Sequence, residues 1–323
     1  STNSTANGFS GSWSCLNSTA SKIRGTVTYC LLFIVSLAVN SLIVMIVYKT
    51  PNLKKPIDYF IANMASSDLL FPIFSIPWNL SHLHTNSWLI GGQLGQALCK
   101  LLPFFGNVSL VVSIQNLTLI AVDRFGAVVF PLRSPLIRSK LSKLCSFFIL
   151  TTWIVAVTVR SPDLFAAKIV ETPEGTWCVT KWEKAYGGSL SLASFLLVYF
   201  ILLIYIPAMF LVILYSIILI KLKTQVHPGE QSTNTQQQRN RRNRNVLQMS
   251  IAIVTVFVFC WLPYSTNFLI ILYQDRSTFG IYRYVTYFMA YAYCAINPII
   301  CFVWGSNHRK GLKRLIKCSF VQA

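Results

Sequence analysis

Seven stretches of mostly apolar residues, each near the ~20 residues that carry a helix across about 30 Å of hydrocarbon, dominate this chain of 323 residues. Their limits fall near 26–48, 58–80, 99–124, 144–165, 190–220, 246–273 and 283–304. Hydrocarbon offers no water to unpaired backbone groups, so a spanning segment must be a helix or part of a closed barrel. Hydrophobicity here is continuous rather than alternating, which selects helices. The expectation is an all-α membrane protein, a seven-transmembrane helix bundle over 26–304, with an outer tail at 1–25 and an inner amphipathic helix and tail at 305–323. Only 11% of residues are charged, against about 25% in an ordinary soluble domain. That balance excludes disorder and a small disulfide scaffold as well.

The formal charge of +19 would suit a nucleic-acid binder only if it formed a patch. It does not, because the 28 Lys and Arg alternate with the apolar runs. Nineteen lie on one side, among them Lys54, Lys55, Arg124, Arg138, Lys140, Lys221, Arg239 to Arg244 and Arg309 to Lys317, and nine on the other. The richer side is expected to be cytoplasmic, which puts the N-terminus outside the plasma membrane and the C-terminus inside. Asn3-Ser-Thr, Asn17-Ser-Thr and Asn79-Leu-Ser are glycosylation acceptors on the outer side. Asn107-Val-Ser and Asn116-Leu-Thr match the same pattern inside the third span, too deep for a glycan. Residues 1–25 contain no apolar leader core, so the first span is expected to act as the insertion signal.

The inner linker at 221–245 reads as flexible, with His227-Pro-Gly and a polar run from Gln231 to Asn245. Its arginines form a stop-transfer flank that meets anionic lipid or a cytosolic partner. Leu312, Leu315 and Ile316 share a face opposite Arg309, Lys310, Lys313 and Arg314, as expected for a short eighth helix lying on the inner leaflet, with Cys318 as a palmitoylation candidate. Of nine cysteines, Cys15, Cys99 and Cys178 lie on the oxidising side, and spacing leaves their pairing open. Asp68 lies a third of the way into the second span, with Asn40, Ser113 and Asn297 as polar residues in other spans. It is either a neutral group joining helices or a cation site in a polar cavity. His82, His84, His227 and His308 are scattered without metal spacing, and no nucleophile triad appears, so neither a metal centre nor an enzyme is expected.

Several short motifs recur in a fixed order. Asn40 lies in the first span, Asn63-Met-Ala-Ser-Ser-Asp68-Leu in the second, and Cys99 and Asp123-Arg124-Phe125 bracket the third. Trp153 follows in the fourth, Pro207 and Tyr215 in the fifth, Cys260-Trp261-Leu262-Pro263 in the sixth and Asn297-Pro298-Ile-Ile-Cys301 in the seventh. Together they resemble the rhodopsin-like, or class A, G-protein-coupled receptors over nearly the whole chain. The resemblance implies a Cys99–Cys178 bridge across the bundle mouth, and an Asp123 that restrains Arg124 until the sixth span swings out. It also implies that Pro131-Leu132 inserts into a heterotrimeric G protein, that arrestin and a receptor kinase are further partners, and that a sodium ion sits at Asp68 with Ser113 and Asn297. From Cys99 to Arg124 is about 37 Å of helix, enough to join an outer bridge to the inner surface. Pro263 interrupts the sixth span beneath Tyr264 and places Trp261 to move Phe257; Pro298 loosens the seventh. Departures from the pattern are Phe125 after the Arg, Cys301 where a Tyr is usual, no carboxylate near Asn243, and Tyr293 and Cys294 beside the sodium pocket.

The position of an amine counter-ion holds Gly106, followed by Asn107, and residues 283–304 contain no Lys for a retinal Schiff base. Five of nine acidic residues, Asp163, Glu171, Glu174, Glu183 and Asp275, lie in outer loops. Thr172-Pro173-Glu174-Gly175 predicts a hairpin within 168–182, and Cys178-Val-Thr-Lys-Trp182 resembles the same loop in neuropeptide receptors. The expected ligand is an extracellular peptide whose basic or amidated end reaches these carboxylates, with Gly106, Asn107, Glu174, Trp182, Trp261, Tyr264 and Tyr291 as contacts. Alternatives are a receptor for a non-peptide small molecule, an orphan receptor, or a seven-span transporter working at Asp68.

Overall fold

The structure, a computed structural model, describes residues 19–51, 53–85, 87–130, 135–173, 175–186, 191–224, 234–273 and 280–321. The elements are α1 (Thr19–Lys49), α2 (Pro56–His84), α3 (Gly92–Val129), α4 (Pro135–Arg160), α5 (Pro162–Ala166), β1 (Ala167–Thr172), β2 (Gly175–Thr180), α6 (Trp182–Tyr186), α7 (Leu192–Phe200), α8 (Ile206–Thr224), α9 (Asn234–Tyr273), α10 (Gly280–Trp304) and α11 (Ser306–Val321). Seven helical stretches are long and apolar enough to cross a membrane: all of α1 and α3, most of α2, Leu144–Ala166, Leu192–Lys221, Arg244–Ile270 and Tyr284–Trp304. The seven-span bundle expected from the sequence is therefore the fold. Its outward side chains remain apolar, as Leu31, Phe147, Met209 and Phe259 show, because lipid replaces water there.

Helix ends overrun the apolar limits. α1 begins at Thr19, through Lys22 and Arg24, and α9 begins at Asn234 inside the run read as flexible. Apolar length reports the thickness of hydrocarbon, whereas Gln and Arg are good helix formers that continue the ladder beyond it. Gly305 interrupts the helical run between α10 and α11. On α11, Leu312 and Leu315 pack against the core while Arg309, Lys310, Lys313 and Arg314 are exposed, as the amphipathic pattern requires.

Prolines inside the spans strand carbonyls, and neighbouring side chains take them up. Pro72 cannot donate to the Asp68 carbonyl, which instead accepts the Ser36 hydroxyl at 3.4 Å. Pro298 likewise frees the Cys294 carbonyl, which accepts from Asn40 Nδ2 at 2.9 Å. One turn of α1 thus serves both the second and the seventh span. Pro207 cannot donate to the Leu203 carbonyl, and the turn before it, Ile201–Tyr205, is a wider π-helical one that joins α7 to α8. Close packing of α2 on α3 depends on Gly106, where a Cβ would collide with the Ser75 hydroxyl.

Candidate functional site

At one mouth of the bundle, the one expected to face outward, β1 and β2 form an antiparallel hairpin pairing Ala167 with Thr180 through to Thr172 with Gly175. Gly175, at φ 137°, supplies a backbone conformation that other residues rarely adopt. Cys99 and Cys178 form a disulfide with Cα atoms 5.7 Å apart, which ties β2 to the start of α3. Gln96 clamps the other strand, accepting from Ile169 N at 3.0 Å and donating to the Ala167 carbonyl at 3.3 Å. Beneath lies a satellite core of Trp88, Cys99 and Ala167 with Trp78 packed against it. The hairpin is thus held at both strands over the ends of the second and third spans.

Beside it, Arg160 donates from Nε to Asp163 Oδ2 at 2.9 Å and pairs with the same oxygen through Nη2. Asn107 Nδ2 donates to that oxygen as well, at 3.1 Å. The guanidinium carbon stands 4.5 Å from the Tyr199 ring centroid and 5.8 Å from that of Phe195. Trp182 stacks on Phe195 and Tyr186, with centroids 4.5 and 4.7 Å apart. Burial and the Asp163 carboxylate push the Tyr186 phenol above its ordinary range.

A column of aromatic rings descends from the mouth. Tyr264 meets Tyr287 at 5.1 Å and Trp261 at 5.3 Å. Trp261, 1% exposed, meets Phe71 and Tyr293 at 5.8 and 5.9 Å, and Tyr293 meets Phe257 at 5.9 Å. Tyr293 therefore touches both Trp261 and Phe257, the two residues expected to move together. Below and beside the rings is a buried polar network: Ser113 donates to Asp68 Oδ1 at 3.1 Å and Asn297 Nδ2 to Asp68 Oδ2 at 2.9 Å. The hydroxyls of Ser113 and Tyr293 are 3.4 Å apart. Tyr293 thus touches both the rings and the polar network. A second network joins three spans, with Asn63 donating to Asn116 Oδ1 at 3.0 Å and accepting from Trp153 Nε1 at 2.9 Å.

At the opposite mouth Arg124 bends back along its own helix, donating from Nε to Asp123 Oδ2 at 3.1 Å and pairing with it through Nη2. Tyr215 and Cys301 are buried as well. His308, at the start of α11, is 3% exposed, and burial pulls its imidazole down to about 4, so it is neutral at physiological pH.

Residues 39–301 match the model of the 7 transmembrane receptor (rhodopsin family). The chain belongs to that family. Among relatives of the receptor, a QRFP-like peptide receptor of Branchiostoma floridae is 28% identical over 303 residues, covering 90% of this chain and 77% of its own length. The Substance-K receptor of Homo sapiens is 26% identical over 294 residues, 90% of this chain and 72% of the relative. The RYamide receptor of Drosophila melanogaster is 28% identical over 310 residues, 91% of this chain and 63% of the relative. The family is one of signalling receptors, not enzymes, and the transporter alternative has no support beside it.

The structure brings Asp68, Ser113 and Asn297 together, and Asp123 with Arg124. It separates the expected ligand contacts into two groups. Trp261, Tyr264 and Tyr291 belong to the aromatic column, while Asn107 and Trp182 flank Arg160. Gly106 faces Ser75. One expectation is corrected: Asn79 is 6% exposed, and its amide nitrogen is spent on the Ser75 carbonyl at 2.7 Å and on the Tyr291 hydroxyl. A glycan cannot be carried by a nitrogen enclosed in the bundle. Asp163 is corrected as a free carboxylate, since Arg160 and Asn107 already hold it. Asn3, Asn17, Pro131, Leu132 and Glu174 lie outside the described residues, as does the Cys318 side chain. Gln96, Tyr293 and Arg160 carry no local motif; their partners are distant in sequence.

Proposed function

We propose that this receptor binds an extracellular peptide at the mouth beside the hairpin and, in response, turns Arg124 toward a heterotrimeric G protein. The carrying observation is the rhodopsin-family match over residues 39–301, with receptors named for peptides among its relatives. The Lys and Arg asymmetry supports an N-terminus outside the plasma membrane and a cytoplasmic C-terminus. A ligand acts only through its differential affinity for two states of the bundle. Peptide contact with Tyr264 and Tyr291 would shift Trp261, and Tyr293 is placed to pass that shift to Phe257 and to the Asp68 network. Pro263 and Pro298 remove backbone bonds that would otherwise stiffen the sixth and seventh spans.

On the cytoplasmic side, Asp123, Arg124, Tyr215, Pro131 and Leu132 are the proposed coupling residues, with arrestin and a receptor kinase as later partners. α11 lies on lipid, and Cys318 is the proposed acylation site. The oxygens of Asp68, Ser113 and Asn297 are of the kind a sodium ion takes as ligands, and they are the proposed residues for it; exchanging sodium for N-methylglucamine should then raise agonist affinity. The main test is nucleotide exchange on purified G protein with the receptor in nanodiscs. A panel of peptides should contain members that raise exchange with the wild-type chain and fail with Arg124→Ala.

A further inference from the structure

The cluster around Arg160 takes no part in the route from the mouth to Arg124. Arg160 is 4% exposed. One edge of its guanidinium is committed to Asp163, while its Nη1 is buried and has no hydrogen-bond partner among the described residues. Two further buried donors share that condition: the hydroxyl of Tyr199, whose ring the guanidinium covers, and Nε1 of Trp182, whose ring stacks on Phe195. Folded proteins leave few buried donors unsatisfied. One on the guanidinium itself, one on Tyr199 beneath it and one on Trp182, joined to it through Phe195, together make a place for an acceptor.

Charge decides which acceptor fits. Arg160 and Asp163 already cancel, so a carboxylate entering here meets the Asp163 charge and an ammonium meets Arg160. A neutral carbonyl meets neither. Among the described residues, all three hydrogen bonds to Asp163 fall on Oδ2, which leaves Oδ1 to accept an N–H. We infer that the Arg160, Tyr199 and Trp182 cluster is a subsite for the primary carboxamide of the peptide ligand, whether an amidated end or an Asn or Gln side chain. The carbonyl accepts from Arg160 Nη1 and the Tyr199 hydroxyl, and the amide nitrogen donates to Asp163. Entry moves Trp182, on the five-residue α6, away from Phe195. The inference rests on the peptide reading above and deepens it.

The test titrates the full receptor in nanodiscs with N-acetylphenylalaninamide and, separately, with its free acid, following tryptophan emission. The amide should give a saturable change that Trp182→Phe removes, with an affinity at least tenfold above that of the acid. Tyr199→Phe keeps the ring, loses the hydroxyl and should weaken the amide about tenfold, while Asp163→Asn should reverse the order of amide and acid. Equal affinities in the wild-type chain, or no saturable change, would overturn the inference whether or not the variants fold. Peptide-stimulated nucleotide exchange without amide preference at this site sinks the subsite alone; amide preference with no exchange for any peptide sinks the receptor mechanism alone. Peptides amidated at the end, set against peptides with a free end and an internal Gln, distinguish the two sources of the group.

Discussion

At the two ends of the bundle, Arg and Asp are paired in opposite ways. Asp123 and Arg124 are sequence neighbours on one helix, with side chains 14–15% exposed, and both bonds run back along α3. Opening that pair separates no two helices. Arg160 and Asp163 straddle the break between α4 and α5, hold Asn107 of α3, and lay the guanidinium over two rings of α7. The Arg160–Asp163 pair ties three spans together, whereas the Asp123–Arg124 pair can be exchanged for a new partner at low structural cost. Adjacency in sequence makes an ion pair easy to form and easy to release; convergence from several elements makes it structural.

Removing one member of each pair is the strongest way to break this distinction. Arg160→Ala leaves Asp163 without its cation and should cost about 3–5 kcal/mol, read as a large fall in the melting temperature of the purified receptor. A fall no greater than that of Arg124→Ala would erase the contrast. His308 sharpens it from the Arg124 end, as a titratable group buried with no counter-charge among the described residues. Its folded value of about 4 lies below the ordinary 6.5, so protons favour the unfolded chain between those limits. Stability should fall as pH drops from 6.5 toward 4, by on the order of 3 kcal/mol, and flatten below. His308→Leu should remove that slope; an unchanged slope would contradict it. Arg124→Ala itself should cost less than Arg160→Ala, because its pair is made within one helix and holds no other element. Smallest of all, Asn79→Gln should leave the glycan mass unchanged by mass spectrometry, and a loss of one glycan would reopen the assignment of that side chain to Tyr291.

Much of the bundle was legible because hydrocarbon imposes a simple rule on every span, and because Pro173-Glu174-Gly175 punctuates a hairpin in a recognisable way. The ordered motifs likewise announced the Cys99–Cys178 bridge and the meeting of Asp68 with Ser113 and Asn297. What stayed hidden was pairing across the bundle. Nothing near Asn40 in sequence says that Pro298 strands the Cys294 carbonyl, and in sequence Tyr293 is only a departure from the pattern, whereas in the fold its ring and hydroxyl lie between Trp261, Phe257 and Ser113. Asn79 misled for the same reason: a three-residue glycosylation pattern does not report which way a side chain faces. Arg160 was counted among nine outer charges, and only tertiary packing distinguishes it from the solvated ones.

The most direct measurement is the rate of nucleotide exchange on a purified heterotrimer, with the wild-type receptor and Arg124→Ala side by side across one panel of amidated peptides. The expected result is acceleration by at least one peptide with the wild-type chain and none with the variant, at equal melting temperatures. Identical rates for the two chains at every peptide would contradict the proposal that Arg124 carries the signal.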